Sequence, residues 1–477
     1  MEDAGGRGMT AFALRLAKRL AGGGGSSGNN NKKNIIFSPM SLYAVLALAP
    51  AMGMAPPANA ATCQHNCQRG QAALAVRLLQ RLGAGSLSSG GGGNLVFSPM
   101  SIHAALALVA AGARGRTLHE LLAVLGAPSR HALVGFVGDA VGRALADRSA
   151  SGGSRVAFAS AAWCDAARTL KPAYRDAVVG SYKATVSTAD FRNKPMEAVD
   201  EMNDWVAEVT RNLITTITGP DYIGGDTVLV LANAVYFKGK WENPFDEEDT
   251  EEDEFHLLDG GSVAAPFMRS WEDRLIACHD GFKVLKLPYQ DDDEVNVVDT
   301  PRFSMCVFFP NARDGFPALV DRIASDEGFL LRHLPSEHVP VGEFRVPKFD
   351  LSFSGSVAPV LQELGLQLPF DQRKADLSDM VEEEEVDGDV VEEKKVFVRD
   401  VVHRAVVEVS EEGSEAAAVT VVYDVEEVCD MEDSYQEPDR RERVDFVANH
   451  PFAFFVVEET SRAVVFAGQV LDPSPES

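Results

Sequence analysis

The sequence predicts an α+β fold, and three observations lead to that class. With 477 residues, of which 45% are hydrophobic, the chain can bury a substantial core without disulfide bonds. In the C-terminal half, strand patterns outnumber helix patterns, and the connections are too irregular for a repeating β-α-β winding. One segment, Thr227–Phe237, is almost entirely apolar, as is typical of a central strand that is buried on both faces.

The other elements follow from the spacing of the hydrophobic residues along the chain. Val156–Cys164 has the alternation of a strand, and Val199–Ile217 has the period of an amphipathic helix. Helices are also predicted at Gly315–Leu334 and Ser356–Leu364. Further strands are predicted at Phe282–Leu287, Met305–Phe309, Glu343–Leu351, Val396–Val409, Phe446–Phe455 and Ala463–Val470. Two acidic stretches, residues 382–393 and 424–437, are interpreted as solvated loops.

One stretch of sequence occurs twice. Asn34–Leu48 reads NIIFSPMSLYAVLAL, and Asn94–Leu108 reads NLVFSPMSIHAALAL. Two copies are too few for a solenoid. Only the second copy continues directly into the rest of the chain, through a helix predicted at Thr117–Leu125. We therefore predict that residues 1–62 are a partial, redundant duplicate and that residues 63–477 form the folded domain.

The charge and the cysteines restrict the partners and the compartment. The 44 Lys and Arg against 71 Asp and Glu give a net charge of −27, which argues against nucleic acid and anionic membrane surfaces because both are bound through a basic face. The six cysteines have no disulfide-like spacing, and Met1–Arg7 lacks the basic-then-apolar order of a secretory signal. We expect an intracellular protein, cytoplasmic or nucleocytoplasmic, with free thiols.

Motifs for enzymatic catalysis are missing from the sequence. It contains no G-x-S-x-G elbow, Walker loop, H-E-x-x-H or paired C-x-x-C. The cluster of Cys63, His65 and Cys67 lacks a second pair of metal ligands and is interpreted as chance. We expect no catalytic residue, no metal site and no cofactor.

The most informative stretch begins where a predicted strand, Val401–Val409, runs into EEGSEAAAVT. Alanines neither favour strands nor fill the face of a sheet. They would suit a segment that enters an already packed sheet, where bulky side chains would clash. The period of two places Ser414, Ala416, Ala418 and Thr420 on one face, and all four are small. The alternative interpretation is a flexible alanine-rich linker.

Several motifs in order make the chain resemble the serpin superfamily, specifically its plant type. The stretch EEGSEAAAVT resembles the family's hinge pattern E-E-G-T-E-A-A-A-A-T. Three further landmarks lie at Asn94–Ile102 (NLVFSPMSI), Leu231–Phe245 (LANAVYFKGKWENPF) and Asp445–Pro473. The resemblance implies a fold with large mixed β-sheets, about nine helices and an exposed reactive-centre loop at about residues 413–444.

The resemblance also implies a mechanism and a set of functional residues. In the family, a protease cleaves the loop to an acyl-enzyme, and the freed hinge inserts into the main sheet and distorts the protease. A buried shutter beneath that sheet would consist of Ser98, Ser101, Asn233 and His403. The hinge would comprise Glu412, Gly413, Ser414, Glu415, Ala416, Ala417, Ala418, Val419 and Thr420. Counting from Gly413 places the cleaved bond at Glu427–Val428, with Met431, Tyr435 or Arg440 as candidates if extra loop residues precede it.

Two functions from different classes follow. The first is an inhibitor of a serine-type or cysteine-type endopeptidase, whose acidic loop would suit a protease that prefers Glu or Asp. The second is a non-inhibitory binding or storage protein with the same fold, or a degenerate duplicate. Small hinge residues favour inhibition, whereas the long acidic loop and the duplicated N-terminus favour the second. In either case we expect a monomer.

Overall fold

The structure is a computed structural model. It describes residues 58–88, 93–145, 147, 149, 154–220, 222–290, 301–326, 328–382, 395–414 and 442–474. The first copy of the repeat therefore lies outside the described residues, as do Glu415–Thr420, Glu427 and Val428. The role of residues 1–62 stays a prediction.

Helices and strands both contribute to the fold, as expected for an α+β protein. The α-helices of the described residues are α1 (Ala58–Ser88), α2 (Pro99–Gly112), α3 (Gly115–Val124), α4 (Arg130–Ala144), α5 (Pro172–Tyr182), α6 (Pro195–Val209), α7 (Phe316–Ala324), α8 (Phe329–Arg332) and α9 (Ala358–Glu363). The strands are β1 (Leu95–Phe97), β2 (Arg155–Asp165), β3 (Thr185–Ala189), β4 (Leu229–Lys240), β5 (Glu251–His256), β6 (Ser262–Arg269), β7 (Arg274–His279), β8 (Phe282–Pro288), β9 (Phe303–Pro310), β10 (His338–Val339), β11 (Val341–Pro347), β12 (Phe349–Ser356), β13 (Asp400–Val409), β14 (Gly413–Ser414), β15 (Val444–Val447), β16 (Phe452–Glu458) and β17 (Ala463–Val470).

These strands form three sheets. The central sheet has the order β12-β13-β4-β2-β3, and the short β14 adds to β4. It is mixed, because β4 runs parallel to β13 and antiparallel to β2. A second sheet has the order β1-β17-β16-β9-β8-β7-β10, and a third has the order β15-β11-β6-β5. Large mixed sheets are what the sequence predicted.

The central position of β4 is confirmed by its burial. All of its residues from Leu229 to Phe237 are buried. Alternate side chains, such as Val235 and Phe237, pack into the main core. Those between them, such as Ala234, pack beneath α6 on the other face. A strand covered on both faces needs apolar residues at every position, which explains the continuous apolar run.

The second copy of the repeat builds β1 and α2, and α2 lies in the main core. Of the 14 residues of α2, only Ala111 is not fully buried. The Ser98 side chain caps the helix by accepting a hydrogen bond from the Ser101 N–H. A helix that is apolar on all sides needs such an interior position.

In the structure, each of two predicted strands is divided into two shorter strands that belong to different sheets. The segment predicted at 343–351 divides at Lys348, whose N–H donates to the Pro266 carbonyl at 2.9 Å, and the chain passes there from β11 to β12. The segment predicted at 446–455 divides between β15 and β16 at His450 and Pro451. Alternating apolar residues continue across both crossings, so the pattern does not reveal the change of sheet. The strand predicted from Val396 begins at Asp400 instead.

Two predicted helices are too long. The one predicted to reach Ile217 ends at Val209, because the Thr210 hydroxyl donates to the Val206 carbonyl and accepts the Ile214 N–H. The one predicted at 315–334 is interrupted between α7 and α8, where the Asp326 carboxylate accepts the Gly328 N–H. Side chains that bond to nearby backbone compete with the helix in both places. Strands β5, β6 and β7 were not predicted; β5 is strongly acidic and lacks an apolar alternation.

Candidate functional site

The boundary between β4 and β13 forms a seam through the middle of the central sheet. The two strands pair in parallel from Val230 opposite Asp400 to Tyr236 opposite Val406. Above Tyr236, β4 pairs instead with β14, while β13 continues beside β12 as far as Val409. The seam is therefore closed at its lower end and divides at its upper end.

Beneath the closed part, the structure brings together the four residues of the predicted shutter. Ser98, Ser101, Asn233 and His403 are each 0% exposed. The Ser101 hydroxyl donates to Asn233 Oδ1 at 2.6 Å, and Asn233 Nδ2 donates to the Ser101 carbonyl at 2.8 Å. We call these four residues the shutter cluster. It links α2 to β4 and β13 through side-chain hydrogen bonds.

The protonation state of His403 follows from its partners. Its Nε2 accepts the Ser98 N–H at 2.9 Å, so this nitrogen carries no proton. Its Nδ1 lies 2.7 Å from Asn233 Oδ1 and donates to it. Burial lowers the pKa of His403 from 6.5 to about 3, although the contact with Asn233 acts to raise it. The imidazole is therefore neutral at pH 7, and the shutter cluster contains no charge.

A further hydroxyl lies on the same face of the sheet. Ser160 on β2 is directly opposite Asn233, and its Oγ is buried without a hydrogen-bond partner among the described residues. Its local sequence carries no signal that predicts this position. Only the pairing of β2 with β4 reveals that it is a neighbour of the shutter cluster.

At the upper end of the seam, a tight turn leads from β13 into β14. The Ser410 N–H donates to the Gly413 carbonyl at 2.7 Å. Two groups of Trp241 fasten the turn: Nε1–H donates to the Ser410 carbonyl at 2.9 Å, and the backbone N–H donates to the Glu412 carbonyl at 2.8 Å. Trp241 belongs to the motif that ends at Phe245, although its contact with the hinge was not predicted.

A buried ion pair supports this turn. Glu411 is 4% exposed, and its carboxylate is 2.8 Å from Lys348 Nζ and accepts the Thr250 hydroxyl at 2.8 Å. Burial alone would raise the pKa of Glu411, but the hydrogen bonds from Lys348 and Thr250 hold it below its ordinary value. We call Glu411, Lys348, Thr250 and Trp241 the hinge base.

Gly413 has a conformation and a position that only glycine fits. Its φ is +150°, and a Cβ there would lie 2.0 Å from the Gly239 carbonyl oxygen. This close approach allows β14 to pair antiparallel with β4, with Gly413 opposite Lys240 and Ser414 opposite Gly239. The two residues of β14, which belong to the predicted hinge, thus pair with β4 at the upper end of the seam.

Within the described part of the chain, no three His, Cys, Asp or Glu side chains converge as metal ligands. Cys67 of the C-x-H-x-C stretch is buried, which raises its thiol pKa to about 11. No helix among the described residues is long and apolar enough to cross a membrane.

Comparison with known proteins defines the class to which this fold and seam belong. The sequence model of the family described as serpin (serine protease inhibitor) matches residues 69–473. The chain therefore belongs to the serpin family, which confirms the recognition made from the motifs and the fold that it implied.

The similar proteins include plant members of the family. A rice chain (Oryza sativa subsp. japonica) provisionally named serpin-Z5 is 51% identical over 431 residues, covering 88% of this chain and 92% of its own length. Serpin-Z2A of the same species is 48% identical over 432 residues, covering 86% and 98%. The structure of an Arabidopsis serpin in its native stressed conformation aligns with a TM-score of 0.73 and 37% identity, covering 85% of this chain and 98% of that one.

Proposed function

We propose that this protein inhibits an endopeptidase by offering its reactive-centre loop for cleavage and then inserting the freed hinge between β4 and β13. One observation carries the proposal. At the head of the seam, Gly413 and Ser414 already pair antiparallel with Lys240 and Gly239, above the last rung between β4 and β13. An incoming strand would need only to continue this pairing downward.

The register of that pairing makes the insertion specific. Continued without a bulge, it would place Thr420 directly opposite Asn233 in the shutter cluster. Ser414, Ala416 and Ala418 would then share the face of the sheet that points into the main core. Because that core is already filled, small side chains are the ones that such an insertion can accommodate.

Insertion would require the seam to open and the shutter cluster to rearrange. Each buried polar group that loses its hydrogen-bond partner costs about 1–3 kcal/mol. A new strand would offer partners in return, since the backbone of the insert would bond to both β4 and β13. The shutter cluster would thus hold the seam closed until the loop is cut.

The acidic residues of the loop restrict how far the insertion would proceed. In the same register Asp424 would lie opposite Leu229, the first residue of β4, and Glu426 would lie beyond the strand. Arg399 lies at this end of the seam. Its backbone N–H donates to the Leu229 carbonyl, and its Nη1 is 3.5 Å from Asp226 Oδ2. Burying one carboxylate near a guanidinium costs less free energy than burying several carboxylates without partners.

The partner would be an endopeptidase of serine or cysteine type, and the bait bond would be Glu427–Val428. The loop carries Asp424, Glu426, Glu427, Asp430, Glu432 and Asp433. This charge would repel proteases with acidic specificity pockets and favour those that prefer Glu or Asp. We infer an inhibitor and not an enzyme, acting as a monomer without a cofactor. The five described cysteines are free thiols, which agrees with a reducing, intracellular compartment.

The test is incubation of the full chain with Glu-, Asp-, Arg- and Met-cleaving endopeptidases. An inhibitor would form a complex that survives SDS, and mass spectrometry of the released C-terminal peptide would identify the bond by its first residue. A peptide that starts at Val428 is expected. One that starts at Glu432 or Arg441 would move the bond, and cleavage by every protease without a stable complex would favour the non-inhibitory alternative.

A further inference from the structure

The connection between β6 and β7 carries an exposed indole. Trp271 is 67% exposed, more than any other large hydrophobic side chain in the described part of the chain. A single exposed apolar residue is common on protein surfaces and by itself indicates no function. Two further observations distinguish Trp271: the way its connection is anchored, and the position of that connection beside the end of the predicted reactive-centre loop.

The connection is anchored from below by a buried arginine. Arg274 is 6% exposed, and its Nε and Nη2 donate to Ser270 Oγ at 3.1 and 2.7 Å. Its Nη1 donates to the Asn243 carbonyl at 3.2 Å. Ser270 Oγ also accepts the Glu272 N–H at 3.3 Å. The chain is therefore fixed on both sides of Trp271, so less conformational entropy is lost when a partner contacts the indole.

The connection lies at the edge of the third sheet where the predicted reactive-centre loop returns to the fold. Strand β6 runs antiparallel to β11 and β15 runs parallel to it, so the end of β6 and the start of β15 share one edge of the sheet. Arg269 of β6 and Val447 of β15 both pair with Arg345 of β11. Two strand spacings, about 10 Å, therefore separate β6 from β15. Trp271 follows the end of β6, and the loop ends at Val444.

The surface around this indole is acidic. Glu272, the next residue after Trp271, is exposed. Beyond Asn243, to which Arg274 is bonded, the chain continues into three exposed carboxylates: Asp246, Glu247 and Glu248. An apolar contact with a carboxylate rim is complementary to an apolar pocket that is surrounded by Lys and Arg.

We propose that Trp271 makes a second contact with the target endopeptidase, outside the protease active site. The inference rests on the proposed function, since the protease must first hold the loop. A globular endopeptidase of about 200 residues has a radius of gyration of about 16 Å, so its body covers surface beyond the segment that it binds. The indole would enter an apolar pocket on that body, and the carboxylate rim would face basic residues. Tryptophan is one of the residues that most often dominate the binding energy of an interface.

The test measures how fast the loop is cleaved, because this contact would act before cleavage and insertion would follow it. Wild type and Trp271→Ala are incubated as full chains with each endopeptidase of the panel that cleaves the loop, and the second-order rate constant for loss of intact chain is determined. With the target class of protease we expect this rate constant to be about tenfold lower in Trp271→Ala. The ratio of SDS-stable complex to cleaved chain should not change. Failure of the proposed inhibition would appear as the absence of complex, whereas failure of this contact would appear only in the rate constant.

A matched variant separates this contact from a general loss of exposed apolar surface. Met196 is 57% exposed and lies on α6, which covers the central sheet. Met196→Ala should change the rate constant by less than about twofold. Both variants should melt at the wild-type temperature, because both side chains are exposed. Equal rate constants for wild type and Trp271→Ala with every protease that cleaves the loop, or an equal loss in Met196→Ala, would overturn the proposal.

Discussion

The two ends of the seam differ: the lower end is closed and the upper end is divided, and different kinds of interaction hold them. At the lower end, the shutter cluster is neutral, fully buried and built from side-chain hydrogen bonds. At the upper end, the hinge base uses an ion pair between Glu411 and Lys348 and the hydrogen bonds that the indole and backbone N–H groups of Trp241 donate to carbonyls of the turn. The lower end resists opening because each of its groups would lose a buried partner. The upper end is already divided and offers the place where a strand can begin.

The largest effect is expected from Ser414→Arg at the upper end. A guanidinium on the inward face would have to be buried at the first step of insertion, so stable complexes with a protease should disappear while the loop is still cleaved. Ser414→Ala is the control and should retain the complex. The measurement is the ratio of SDS-stable complex to cleaved chain. Undiminished complex formation by Ser414→Arg would exclude the insertion mechanism.

Acid should weaken the lower end before the upper end. Burial lowers the pKa of His403 from 6.5 to about 3. Below pH 6.5 the unfolded chain therefore binds a proton at this histidine that the folded chain does not bind. The contribution of His403 to the free energy of unfolding is complete above pH 6.5. It falls by up to about 1.4 kcal/mol per pH unit as the pH drops toward the folded pKa.

The upper end responds to a lower pH range. The folded pKa of Glu411 is below its ordinary 4.5, so its contribution persists above that value and is lost only as the pH falls further. The free energy of unfolding, measured with urea at several pH values between 7 and 5, should fall less steeply with decreasing pH in His403→Leu than in the wild type. An unchanged dependence on pH would mean that the pKa of His403 is the same in the folded and the unfolded chain.

Loss of the His403 side chain should itself destabilise the protein. In His403→Leu the Ser98 N–H and one acceptor site of Asn233 lose their partner inside the core, for a cost of about 2–3 kcal/mol. The control is Ser160→Ala: its buried hydroxyl has no partner in the described residues, so we expect a change below about 1 kcal/mol. Equal effects of the two changes would contradict a special role of the shutter cluster. Thermal melting at pH 7 measures both.

A smaller effect is expected at the hinge base. Glu411→Gln keeps the side-chain shape but removes the charge that pairs with Lys348, which is 36% exposed, so the loss should be about 1–2 kcal/mol. Glu412→Gln is the matched control, because Glu412 contributes its carbonyl to Trp241 through the backbone. If the turn positions the hinge, Glu411→Gln should also lower the yield of stable complex, and Glu412→Gln should not. The reverse order would contradict that role.

The smallest effect is expected from deletion of residues 1–62. The second copy of the repeat supplies β1 and α2, and its Ser98 and Ser101 already occupy the shutter cluster. The thermal midpoint should change by no more than a few degrees, which corresponds to about 1 kcal/mol or less. A large fall in melting temperature or solubility would show that the first copy is required for the fold.

Much of this site could be predicted from short motifs. The resemblance carried by FSPMS, LANAVYF and VHRA implied all four residues of the shutter cluster, and polar side chains that are buried need hydrogen-bond partners. The hinge stays a prediction, made from small residues that follow a strand and from the family pattern that they resemble. By contrast, Thr250, Lys348 and Ser160 carry no local signal. They lie in segments whose pattern gives no reason to bring them to the seam.

The sequence by itself determined which segments are apolar on one face or on both, and therefore that β4 is central. Those properties follow from local period and steric limits, which each segment carries alone. Only the tertiary structure decided where β11 gives way to β12 and that Trp241 bonds to the turn before β14. It also decided that His403 carries its proton on Nδ1, which donates to Asn233, while Nε2 accepts the Ser98 N–H. Such features depend on partners far away along the chain, and a pattern of near neighbours has no information about which distant strand a residue will face.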